Sequence, residues 1–225
     1  MTTAARPRDA QRLRVYRAET PVPSSPLPGL DACGAYAERV VGTLWWHARF
    51  PHRTIAAVPR LRPGNGARQA FFREEDGGLY SITLPRRYRT KGVVLHELAH
   101  WALWDEHDLA HHGETFTRVL LDATAEFCGR ERADALAASF VEHRVRVGDP
   151  ARTAPDGELH YGCDERIRRG RDQQLTVHYA ERGATTRVTA VLSGLERSGT
   201  TVVLHDGTST IRVATRAIFD VHPPR

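Results

Sequence analysis

The sequence predicts an α+β protein in two parts: a helical domain with a small three-stranded sheet, then a small all-β barrel. Three observations carry this reading. Apolar residues recur at helical spacing over residues 30–50, 92–104, 114–127 and 131–143. Short β-rich runs separated by Pro-Gly-Asn-Gly and Asp-Gly-Gly breaks lie between the first two of these. Beyond residue 174 the pattern is strands alone, at 174–181, 185–193, 200–205, 209–214 and 217–221.

Taken in order, residues 8–19 form a short charged segment, helical or extended, with few core residues. Residues 21–29 hold four prolines and read as a linker or surface wrap. Asp31 starts a helix whose apolar positions include Val40, Val41, Leu44 and Trp45, facing a sheet built from residues 54–61, 69–73 and 79–84. Pro85 ends the third strand and the chain enters the helix of residues 92–104. Gly129 separates the two helices that follow. The expected organisation is an N-terminal extension with a Pro-rich linker (1–29), a main domain (30–147), a second linker (148–173) and the β-barrel (174–225). Asp206-Gly207 marks a hairpin in that barrel, for which five short strands suggest an SH3-like or Sm-like form.

Composition narrows the class. The chain of 225 residues carries a net charge of +5, and 31 of its 32 basic residues are Arg, with Lys91 the single Lys. That bias reads as coding composition more than as a nucleic-acid signal. The densest basic cluster, Arg166, Arg168, Arg169 and Arg171, is short, so nucleic acid is a weakly supported partner. Cys33, Cys128 and Cys163 are widely spaced, which indicates neither a disulfide framework nor a Cys-rich zinc knuckle. No apolar run approaches the roughly 18 residues of a membrane span. The N-terminus has no secretory apolar core. A cytoplasmic, membrane-free protein is expected.

The chemistry concentrates in His96-Glu97-Leu98-Ala99-His100. On a helix, i and i+4 share a face, so both histidines can aim a ring nitrogen at one cation while Glu97 reaches a water beside it. Val93, Val94, Leu95, Leu98, Ala99, Ala102 and Leu103 surround these polar groups, and three such groups in a core are costly unless something pairs them. A zinc ion does so, and a catalytic zinc takes a third protein ligand. His107 lies about 10 Å further along the same helix, too far to share the ion. His111, His112 and Glu114 follow a chain break from which a side chain can turn back. Gly113 behind His112 permits the close approach such a turn needs, with His111 and Glu114 as alternatives. Trp101 and Trp104 read as packing residues.

The pattern His96-Glu97-Leu98-Ala99-His100 with His112-Gly113-Glu114-Thr115-Phe116 resembles the HExxH…HGxxF arrangement of SprT-like and related minimal zinc metallopeptidases. With the segment Arg8 to Glu19, it more closely resembles an actinobacterial family of uncharacterised metallohydrolases. The resemblance covers about residues 8–145 and does not reach the β-rich tail. It implies a zincin-like fold, one zinc ion on His96, His100 and His112, and Glu97 as general base for a metal-activated water that attacks an amide carbonyl. It also implies that residues 79–84 form the edge strand nearest the motif helix, able to pair an extended peptide. SprT-like proteins often carry a cysteine zinc ribbon, which Cys128 and Cys163 cannot make, so a DNA-repair role is not carried over. Tyr80, Tyr88 and Arg87 are the candidate oxyanion donors. A zinc-dependent peptidase acting on peptide or protein is the leading expectation. The alternative is a non-catalytic zinc-containing binding or regulatory protein whose barrel takes a partner.

Overall fold

A computed structural model of the protein describes residues 6–224. Met1 to Ala5, where the expected N-terminal extension begins, and Arg225 lie outside the described residues. The chain divides into two compact units at Val147/Gly148.

In the first unit, α1 (Arg12–Glu19) buries Val15 and Ala18 and packs on α6 (Arg130–Glu142). Two devices seat it: Ser139 Oγ donates to the Ala18 carbonyl at 2.8 Å, and Gln11 bonds both the N–H and the C=O of Arg146 at 3.0 Å. The Pro-rich stretch is no free linker. Leu27 N–H donates to the Arg89 carbonyl at 2.8 Å and Lys91 N–H to the Ser25 carbonyl at 3.0 Å, so it lies strand-like along residues 89–91. The expected 1–29 extension is therefore, from Arg8 onward, an integral part of this unit. Its prolines lack donors, but their neighbours supply the pairing.

The helical pattern of residues 30–50 breaks into α2 (Leu30–Val41) and a single turn, α3 (Leu44–His47), whose N-cap is Thr43. The three-stranded sheet has β1 (Arg60–Pro63), β2 (Phe71–Glu75) and β3 (Leu79–Leu84) in the order β1-β3-β2. Here the structure corrects an expectation: Leu79–Leu84 is the central strand, paired parallel to β1 and antiparallel to β2. Ser81 to Leu84 are buried without alternation, as suits a strand covered on both sides. The open edge on the site's side is β2.

The motif helix α4 (Lys91–Ala102) is capped by Thr90, whose hydroxyl accepts the Val93 N–H. It buries Val94, Leu95, Leu98, Ala99, Trp101 and Ala102 between α2, β2 and α5 (Glu114–Cys128). Trp101 stacks on Trp46 at 5.9 Å, and Trp104 donates to Glu74 at 2.7 Å; both pack within the protein. Most of this helix is buried, so His96 and Glu97 lie in the core where polar groups need partners.

The second unit holds a two-stranded ribbon, β4 (Arg152–Thr153) and β5 (Leu159–His160), and a short helix α7 (Cys163–Arg169). The expected 148–173 linker is thus folded, because Cys163 and Ile167 belong to the core beneath the sheet. That sheet comprises β6 (Gln174–Glu181), β7 (Ala184–Glu196), β8 (Thr201–His205), β9 (Thr210–Ala214) and β10 (Ile218–His222), all antiparallel, in the order β10-β6-β7-β8-β9. It is open rather than a closed barrel: among the described residues β9 and β10 are edges that do not pair. α7 covers the core that closure would otherwise seal. Gly207, at φ 96°, makes the turn between β8 and β9. Arg166 is buried, Arg168 pairs with Asp149 at 3.1 Å and Arg169 with Glu165 at 3.2 Å, so the basic cluster is largely engaged within this unit. Among the described residues no helix is long and apolar enough to cross a membrane.

Candidate metal centre

Three imidazoles converge within the first unit. His96 and His100, one turn apart on α4, and His112, just before α5, present ring nitrogens that all lie within 4.8 Å of one another. His96 Nε2 stands 3.2 Å from His100 Nε2 and 3.3 Å from His112 Nε2. His112 reaches back because the chain turns after α4 and Gly113 starts α5 in an extended conformation. Of the other candidates, Glu114 turns away to pair with Arg146 at 3.1 Å. His111 packs near Trp104 and His100 and does not join the converging set, nor does His107.

The outer nitrogens are held by carboxylates from the N-terminal segment. Glu19, ending α1, receives His96 Nδ1 at 2.9 and 3.0 Å. Asp9 receives His112 Nδ1 at 2.7 Å and the His112 backbone N–H at 3.2 Å. These bonds place a proton on each Nδ1 and leave each Nε2 with an inward lone pair. Two lone pairs 3.3 Å apart repel unless a proton or a cation lies between them. Four-coordinate zinc with ring nitrogens at 2.0–2.1 Å requires nitrogens about 3.3 Å apart, so the donor set and its spacing fit such an ion. Phe116 stacks on His100 at 4.5 Å and meets His96 and His112 edge-on, while Tyr16 stacks on His96 at 5.6 Å. The rings are fixed from both sides.

The electrostatics follow from this packing. Burial alone would lower the His96 ring, but the carboxylates of Glu19, Glu97 and Asp9 together outweigh it and the net shift is upward. At His112 burial prevails over Asp9 and the shift is downward. Glu97 is buried, and burial pushes its carboxyl up to about 7, against the pull of His96 and of the Phe72 N–H that it accepts. A carboxyl near 7 suits a group that must both take and return a proton.

His96 and Glu97 open onto a cleft of about 490 Å³, lined also by Tyr16, Glu19, Arg87, Tyr88 and Arg132, with Gln69 and Ala70 leading into β2. Of the expected oxyanion candidates, Tyr88 and Arg87 border this cleft. Tyr80 does not; it stacks on Phe72 and lies beside Arg53. Asp9, Tyr16 and Glu19 were not anticipated as site residues. They fall in the segment that carries the family resemblance, and two of them are acids at either end of an otherwise basic stretch, but neither signal names a partner until the chain is folded. No protein-family model matches the chain, nor does any curated protein or solved structure.

Proposed function

We propose that residues 8–147 form a zincin-like minimal metallopeptidase and that the protein is a zinc-dependent hydrolase of amide bonds. The observation that carries this is the convergence of three neutral-capable imidazoles beside a buried carboxylate at the floor of a cleft. When bound, zinc would polarise a substrate carbonyl and acidify water. Glu97 then accepts the proton of the attacking water and delivers it to the departing amine. His96, His100 and His112 would hold the ion, with Glu19 and Asp9 orienting two of the rings. β2 is an edge strand of the sheet and its Phe72 N–H bonds Glu97, so this edge runs beside the site and is where an extended peptide would pair, at positions other than Phe72. That favours peptide or protein substrates over small amides.

The competing reading, a structural zinc in a binding protein, requires a fourth protein ligand. Among the described residues the converging set has three members, which supports an open coordination position. Nucleic acid as a partner gains little from the short basic cluster, in which Arg166 is buried, Arg168 and Arg169 are ion-paired at the surface, and Arg171 is exposed.

The test is elemental mass spectrometry together with hydrolysis of a mixed peptide library, on wild type, Glu97→Gln and His112→Ala. Glu97→Gln is expected to keep its zinc and lose about 10²- to 10⁴-fold in turnover, and His112→Ala to lose one equivalent of zinc. Undiminished turnover in zinc-loaded Glu97→Gln would sink the proposal.

A further inference from the structure

A second group of ligating side chains lies on the five-stranded sheet, on the face away from its core. β6 and β10 are antiparallel neighbours with His178 directly opposite Asp220. His222 follows Asp220 by two residues and so shares its face, while Val177 and Val221, which alternate with these residues, enter the core. One ligand atom from each of His178, Asp220 and His222 lies within 4.8 Å of the others, and all three residues are half-buried.

Among the described residues neither nitrogen of the His178 ring is hydrogen-bonded, and an ion would engage one of them together with one atom each of Asp220 and His222. His178 Nδ1 stands 3.7 Å from Asp220 Oδ2, beyond hydrogen-bond range. Its Nε2 is buried and finds no hydrogen-bond partner among the described residues. A buried ring nitrogen left in that condition is costly. His222 Nδ1 donates to the Pro223 carbonyl at 2.8 Å, which fixes the tautomer with a free lone pair on Nε2. The other Asp220 oxygen faces His160 Nδ1 at 3.9 Å. Phe219, at a bulge in β10, packs against His160 and His178 and walls the group on one side. Directly opposed cross-strand residues of this chemistry could close to an ordinary hydrogen bond. Instead the separation is nearer the roughly 3.4 Å between ligands that share a tetrahedral ion.

We propose that His178, Asp220 and His222 form a second metal site, for a divalent first-row transition ion such as zinc, separate from the three-histidine centre and independent of its function. Imidazole with carboxylate is the donor set such ions accept. Bound there, the ion fastens β10, the last strand, to β6.

The experiment uses Co²⁺ as the probe, titrated into metal-stripped full-length protein and followed by calorimetry and visible absorption, with near-ultraviolet circular dichroism to verify folding. His112→Ala, impaired at the first centre, is expected to retain one equivalent, and His112→Ala/His222→Ala and His112→Ala/Asp220→Asn to lose it. Should His112→Ala fail to fold, the same information comes from wild type against His222→Ala, with one equivalent fewer expected. No Co²⁺ bound by folded His112→Ala, an equivalent that survives both second-site changes, or equal stoichiometry in wild type and His222→Ala would each overturn the proposal.

Discussion

Asp9 and Glu19 each fix the proton of one imidazole and thereby aim the opposite nitrogen inward. Such outer partners typically contribute 10- to 100-fold in metal affinity. Asp9→Asn and Glu19→Gln are each expected to weaken zinc binding by about that factor, measured by competition with a chromophoric chelator. Unchanged affinity in both would mean that the carboxylates serve folding alone. A different single-residue expectation concerns Cys163, whose thiol burial pushes up to about 12. At pH 8 it should resist iodoacetamide until denaturant is added, whereas the half-exposed Cys128 reacts in the folded protein. Peptide mapping after timed alkylation distinguishes the two.

Among the elements, α1 matters most to the site because it brings Tyr16 and Glu19 to a helix far along the chain. Its docking relies on a buried Gln11 that bonds the Arg146 backbone in both directions. Gln11→Ala leaves the Arg146 N–H without that acceptor and removes a buried amide, while Thr117 still serves the Arg146 carbonyl at 2.8 Å. A loss of about 1–3 kcal/mol is expected, read by urea denaturation, with zinc affinity falling in step since Glu19 moves with the same helix. Full stability in this variant would assign the docking to Val15 and Ala18 instead. The sheet shows how an element can be recognised and still be misplaced. Leu79–Leu84 is a strand as its residues indicate, but with Ser81 and Thr83 alternating with apolar residues it does not announce a centre position; its unbroken burial from Ser81 to Leu84 does, and the edge beside Glu97 falls to the more exposed β2.

At the scale of the whole molecule, the two units have separate cores, the second centred on residues such as Leu192, Leu204 and Val221. Sites in separate cores with no shared partners are expected to behave additively. Leu204→Ala, at a fully buried position, should destabilise the second unit by about 2–5 kcal/mol while leaving zinc affinity at His96, His100 and His112 unchanged. Denaturant unfolding and chelator competition on the same sample check both halves. A matching fall in zinc affinity would show that the cores are coupled.

What the sequence determined by itself is local. The i, i+4 spacing of His96 and His100, the Gly113 turn, the caps and the strand alternation are all written within a few residues, where backbone geometry translates spacing into direction. The α+β division and the pairing of His96 with His100 were legible for that reason, whereas His112 takes preference over His111 and Glu114 through the family resemblance as well as the Gly113 turn. Only the tertiary structure decided which distant groups meet: Asp9 and Glu19 on the imidazoles, β2 as the open edge, α7 in place of barrel closure, and His178 opposite Asp220. Those contacts join residues many positions apart, and their selection depends on which buried polar groups must find partners once the cores form.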